Sequence, residues 1–127
     1  MKHWLLGLLW CLALAPSAWA ARVEREYTTL TKTATATSNQ TDVAIWTPAS
    51  GKGIALQGCL FSAAEAGNIE LEVADVDVLP PIAMPSGGLE SASAGEALLY
   101  QGAVDAVLRW TTTINGPHAV MCWGYEW

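Results

Sequence analysis

The sequence predicts an all-β domain, an antiparallel β-sandwich of about seven or eight short strands. Segments rich in β-branched and apolar residues recur at intervals of about ten residues and are separated by turn residues. Helix signals are almost absent, because Gly67 stops the one stretch of helical composition, residues 62–66, within about one turn. Many short strands without covering helices favour two antiparallel sheets packed face to face.

Four strands are expected in the first half of the domain. Residues 27–37 are rich in threonine and alternate, as an edge strand does. Residues 42–47 form the next strand, which Pro48 ends. Residues 54–62 are apolar on both faces, which is typical of a central strand, and residues 68–73 alternate cleanly between apolar and acidic.

The second half is less regular. Residues 76–84 are extended, but their prolines keep them out of the middle of a sheet. Residues 86–95 are expected to be the longest flexible connection. Three strands follow, over residues 96–100, 106–114 and 118–127. The pair Asn115–Gly116 predicts a tight hairpin turn between the last two.

The first twenty residues predict export. Lys2 and His3 form a short basic start, an uncharged apolar run follows, and small residues end at Ala20. This is the layout of a secretory signal peptide. The apolar run is shorter than the ~20 residues that cross a bilayer, which favours cleavage over a retained anchor. We therefore expect residues 1–20 to be removed, residues 21–127 to form one domain, and the protein to be secreted or periplasmic with no membrane association after cleavage.

The acidic balance of the chain restricts its partners. The full chain carries six basic and twelve acidic residues, and removal of Lys2 leaves five against twelve, a formal net charge of −7. Nucleic acids and anionic membranes require clustered lysine and arginine, so neither is expected as a partner. The charge does not decide between proteins and glycans as partners.

The two cysteines that remain after cleavage, Cys59 and Cys122, are an even pair in an oxidising compartment and are expected to form a disulfide. Two separate buried thiols are the alternative. A zinc site is not expected, because four ligands are usual and His118 is the one histidine left.

Residues 42–71, DVAIWTPASGKGIALQGCLFSAAEAGNIEL, and the ending GYEW at 124–127 resemble small jelly-roll-like β-sandwich domains of phage virion proteins. The shared pattern is a strand that ends in a TP-SGK turn, an apolar strand, and a closing GYE strand. The resemblance implies a jelly-roll-like sandwich with a non-enzymatic structural or surface-attachment role.

Residues suited to catalysis are sparse. His118 follows a turn and is expected to be a solvated surface residue. Glu70 and Glu72 share one face of a strand, where the exposed side of an amphipathic strand explains them. Asp75 and Asp77 invite a calcium site, but the spacing of an EF-hand loop is missing. We expect no enzyme activity, no metal and no cofactor.

Aromatic residues give the sharper hypothesis. Along residues 118–127, Met121, Trp123, Tyr125 and Trp127 share one face. This face is either part of the core or an exposed surface for stacking on sugars or for assembly. With Trp110, the residues Trp123, Tyr125 and Trp127 are the candidate binding or assembly surface. The leading hypothesis is a structural or assembly module that pairs with itself or another extracellular protein, and the alternative is a carbohydrate-binding module.

Overall fold

A computed structural model describes residues 27–95 and 97–127. The expected signal peptide, residues 1–20, lies outside the described residues. No helix in the described part is long and apolar enough to cross a membrane. The described chain forms ten strands, β1 (Leu30–Ala36), β2 (Gln40–Trp46), β3 (Ile54–Ala63), β4 (Gly67–Val73), β5 (Val76–Asp77), β6 (Ile82–Met84), β7 (Gly88–Ser93), β8 (Tyr100–Gln101), β9 (Leu108–Thr112) and β10 (His118–Glu126).

The strands form two antiparallel sheets, which confirms the predicted β-sandwich. The first sheet has the order β1-β10-β3-β7, and β8 also pairs with β3. The second sheet has the order β2-β9-β4-β5, and β6 also pairs with β4. Strand β1 thus pairs with β10, β2 with β9, β3 with β7, and β4 with β5, so the chain folds back on itself as one long hairpin rolled across two sheets. This order is that of a jelly roll.

Two interrupted strands explain why there are more strands than the sequence predicts. Strands β7 and β8 both pair with β3, and β5 and β6 both pair with β4, so each pair occupies a single position in its sheet. The expectation of a flexible connection over residues 86–95 is wrong, because most of it is β7. The strand expected at 96–100 is reduced to β8, Tyr100–Gln101.

The prediction of a hairpin at Asn115–Gly116 is also wrong. Strand β9 belongs to the second sheet and β10 to the first, so the two do not pair. The two-residue hairpin turn favoured by Asn-Gly needs positive φ at both residues, and neither has it. This segment instead carries the chain from one sheet across to the other.

The core fills the space between the sheets, and the disulfide lies within it. Cys59 of β3 and Cys122 of β10 are directly opposed on neighbouring strands and are bonded, which confirms the predicted bridge. Both are fully buried. The largest buried side chains around them are Trp46, Ile54, Leu56, Phe61, Ile69, Leu71, Leu108, Trp110 and Ile114.

A polar cluster ties the two sheets together at one end. Glu126 of β10 accepts hydrogen bonds from Trp46 Nε1 at 2.8 Å and from the Ala49 backbone N–H at 3.1 Å. The Lys32 ammonium lies 5.9 Å from the centroid of the Trp46 ring, within cation–π range. These bonds, the one from Trp46 first, hold the pKa of Glu126 below its ordinary value.

Candidate binding face

The outer surface of the first sheet carries no charged side chain on the strands that the structure describes. Alternation along each strand points one set of residues to the core and the other set outward. We call the outward set the uncharged face. It includes small, hydroxyl-bearing, apolar and aromatic residues, among them Thr31, Thr33, Thr35, Gly58, Leu60, Ser62, Leu89, Ser91, Ser93, Ala119, Met121, Trp123 and Tyr125.

The outer surface of the second sheet is the opposite in character. Glu70 and Glu72 of β4 point outward there, and Asp77 of β5 lies directly across from Glu72. Arg109 of β9 is engaged by Asp42, with its guanidinium 3.3 Å from the carboxylate. Partial burial, followed by the neighbouring carboxylates, raises the pKa of Glu72. The sandwich therefore has one acidic face and one uncharged face.

Trp123 lies flat on the uncharged face. Its indole covers Gly58 on the neighbouring strand β3 so closely that a Cβ at this position would collide with the ring. Glycine is therefore required beneath the indole. The pairing of β10 with β3 shifts by one residue immediately after Trp123, so Gln57 is left unopposed at a β-bulge. One side of the ring rests on the sheet, and the side chain remains half-buried.

Tyr125 and Trp127 continue the aromatic series towards the end of the chain. The ring of Tyr27 stacks on Tyr125 with centroids 4.4 Å apart and planes 14° from parallel. Trp127 covers Gly53, and the backbones of these two residues exchange hydrogen bonds of 3.0 and 3.3 Å. Trp123 and Tyr125 thus lie together on the uncharged face, and Trp127 closes its edge.

Trp110 does not join these residues. It points inward from β9 and is only 1% exposed, so it belongs to the core. The sequence groups it with the other aromatic residues because it is near them along the chain, but β9 and β10 lie in different sheets.

The expectation that His118 is a solvated surface residue is wrong. Its side chain is 3% exposed and packs against Trp110, with ring centroids 5.1 Å apart. Nδ1–H donates to the Gly116 carbonyl at 2.7 Å, and Nε2 lies 2.9 Å from the Thr112 hydroxyl. A carbonyl can only accept, so Nδ1 carries the proton of that bond, while the Thr112 hydroxyl can either donate to Nε2 or accept from it. Both ring nitrogens are engaged within the fold.

Two adjoining concavities form a trough on the uncharged face. The larger, of about 730 Å³, lies at the end near His118, and the smaller, of about 330 Å³, extends from it towards Met121. They share Thr35, Ser62, Leu89 and Ala119. No lysine, arginine or carboxylate lines either one. Along β3, Ser62 and Leu60 line the trough, and Gly58 beneath the indole is the next outward position of the strand beyond it.

Strand β1 presents the outer edge of the first sheet. No other strand of the described chain pairs with it besides β10. The Cα atoms of Cys59 and Cys122 are 4.1 Å apart, the short spacing of a pair that exchanges no backbone hydrogen bonds. Cys122 therefore directs its backbone groups away from β3 and towards Lys32 of β1. By alternation, Thr31, Thr33 and Thr35 direct their N–H and C=O groups to the outer edge.

The described residues form no group of side chains suited to hold a metal ion. Among residues 27–95 and 97–127, no three histidine, cysteine or acidic side chains come together as a metal-binding group. Glu70 and Glu72 lie on the outer surface of the second sheet, away from the trough.

Sequence reasoning missed Leu89, the most exposed large apolar residue on the uncharged face at 66%. The alternation of Leu89, Ser91 and Ser93 with Glu90 and Ala92 is a strand signal, but the glycines before it favour a loop. No protein-family model matches the chain, and no curated protein matches it either.

Proposed function

We propose that the chain is an exported, non-enzymatic β-sandwich that acts as a structural or assembly module, adding β1 to the sheet edge of a second copy. The observation that carries the proposal is the outer edge of β1, where Thr31, Thr33 and Thr35 offer backbone donors and acceptors. An unpaired edge of this kind is a template for another strand.

The composition of β1 supports this role. It contains no acidic residue, although the chain as a whole is strongly acidic. Its one charge, Lys32, is turned inward over Trp46 and leaves the outer edge clear. Two antiparallel copies of β1 centred on Thr33 would place threonine opposite threonine on the uncharged face, and such cross-strand pairs are favourable.

The buried state of His118 supports a role by contact. Both of its ring nitrogens are engaged inside the fold, which leaves it unsuited to accept or donate a proton at the surface.

Replacing Thr33 by proline tests the assembly. Proline removes a backbone N–H that points to the outer edge and is tolerated at such a position, so the native pairing with β10 remains. We expect light scattering to show multimers for the exported protein and monomers for Thr33→Pro. The matched control, Thr33→Val, keeps the N–H and should assemble. A strictly monomeric exported protein at high concentration, or normal assembly of Thr33→Pro, would refute the proposal.

Export through a cleaved signal peptide is the second part of the proposal. The Cys59–Cys122 disulfide is in keeping with an extracellular or periplasmic location. N-terminal sequencing of the exported protein should begin at Ala21, and a chain that retains Met1 would contradict cleavage.

A further inference from the structure

We propose that the trough and the indole of Trp123 together form a binding site for a neutral glycan chain. The glycan would lie along β3 on the uncharged face, with one sugar ring over the exposed side of the indole. This site goes beyond strand assembly and does not depend on it, because the outer edge of β1 and the outer face of the sheet point in different directions.

The charge distribution selects a neutral ligand. A charged ligand in the trough would lose hydration without finding an opposite charge, because no lysine, arginine or carboxylate lines it. The net negative charge of the chain further disfavours polyanions.

The arrangement of polar groups favours a glycan over a peptide. The backbone groups of β3 and β10 are used in the ladders of the sheet, so the polar side chains along the trough are the hydroxyl-bearing ones of Thr33, Thr35 and Ser62, with Thr37 at its end. A peptide laid on it would leave many backbone N–H and C=O groups unpaired. A sugar ring can instead turn its C–H face to the sheet and keep its hydroxyl edge in water.

The trough and the indole of Trp123 offer both apolar and hydroxyl groups, as the two sides of a sugar ring require. Leu60 and Met121 give the trough an apolar floor, and the threonine hydroxyls of β1 stand along one wall. Beyond these residues, Gly58 lets the Trp123 indole lie parallel to the sheet. The outer side of the indole therefore continues the apolar surface of the trough. Aromatic rings held in this way offer a broad apolar contact that loses little entropy on binding.

Calorimetric titration with cellohexaose, mannohexaose and xylohexaose as neutral probes, and hexagalacturonate as the charged probe, tests the site. We expect a neutral probe to bind with a Kd of about 1 mM or tighter, a range typical of weak specific binding. Trp123→Ala removes the platform, and Leu89→Glu places a charge beside the trough at a residue that is already 66% exposed. Each should weaken binding about tenfold, as expected for the loss of one aromatic contact or the burial of one charge.

The control is Val76→Glu, the same kind of change at an exposed apolar residue of the second sheet, and it should bind as the unaltered protein does. The proposal is overturned if no neutral probe binds, if hexagalacturonate binds more tightly, or if both trough variants bind normally. It is also overturned if light scattering shows a dimer that Leu89→Glu dissociates, because a second copy then occupies the face.

Discussion

Glu126 joins the two sheets through a single carboxylate. Its two oxygens accept from Trp46 Nε1 in the second sheet and from the Ala49 N–H that follows β2, while its own strand belongs to the first sheet. These bonds are made to the charged form, so folding favours ionisation and the pKa of Glu126 falls below its ordinary value near 4.5.

The lowered pKa of Glu126 predicts a pH dependence of stability. Because the folded pKa is the lower one, the stabilisation is fully present above about pH 4.5 and is lost as the pH falls through the folded pKa. Glu126→Gln should reduce the free energy of unfolding at pH 7 by about 1–2 kcal/mol, because a hydrogen bond to a charged group contributes about 1.5–3 kcal/mol and the amide oxygen of glutamine can still accept one bond.

Urea titrations of Glu126→Gln at several pH values check this, and the dependence of stability on pH should become flatter below pH 4.5. Glu90→Gln, the same change at an exposed glutamate on β7, serves as the control and should alter the free energy of unfolding at pH 7 by no more than about 0.5 kcal/mol. An identical pH slope for Glu126→Gln and the unaltered protein would contradict the role of this carboxylate.

At the scale of elements, the disulfide fixes β3 to β10 at the centre of the first sheet. It closes a loop of 63 residues, which in the chain-entropy model stabilises the fold by about 4 kcal/mol. The double substitution Cys59→Ala and Cys122→Ala should therefore lower the free energy of unfolding by several kcal/mol.

Denaturant unfolding of this double variant, beside the unaltered protein with and without reductant, measures the loss. The reduced protein and the variant should agree to within about 1 kcal/mol, since both lack the bridge. If the free energy of unfolding hardly changed, the disulfide would not stabilise the fold in the way that the chain-entropy model describes.

The sequence predicts best the strands whose alternation is strong. Strands β3, β4 and β10 begin and end within one residue of their predicted limits, because apolar side chains mark their buried face. Strand β7 escapes prediction because its polar, glycine-preceded sequence has no such mark, and pairing with β3 makes it a strand. At Asn115–Gly116, the local preference for a hairpin turn is overridden, because β9 and β10 lie in different sheets and this segment connects them.

The uncharged face is predicted only in part, for a reason visible in β10. Its two faces carry Val120 and Cys122 on one side and Met121 and Trp123 on the other, so alternation shows the two sets without showing which one is buried. The disulfide shows which set is buried, because the bonded Cys122 lies in the core and Val120 shares its face. Glycine at 58 explains how a tryptophan can then lie outside.

At the scale of the whole molecule, the acidic charge opposes the proposed assembly through β1. The full chain has a formal net charge of −6, and the proposed loss of residues 1–20 would make it −7, so copies repel as they approach. Raising the ionic strength from about 0.01 to about 0.1 M shortens the screening length from about 30 to about 10 Å. Association through β1 should therefore strengthen with salt.

Sedimentation at these two salt concentrations checks the expectation, with Thr33→Pro as a control that stays monomeric at both. Association that weakens with salt would indicate contacts between opposite charges and would contradict pairing through the edge of β1.

The register of β1 against β10 also determines how the molecule yields under tension. Leu30, at the start of β1, lies opposite Gly124, near the end of β10, so both ends of the described chain leave the same end of the same sheet. With this register, a pull on the two ends would load the β1–β10 hydrogen bonds one after another, as in unzipping, so we expect β1 to separate at low force. On the other side, peeling of β10 from β3 stops at the covalent bond between Cys122 and Cys59. The jelly roll thus combines a detachable first strand with a mechanically locked last one.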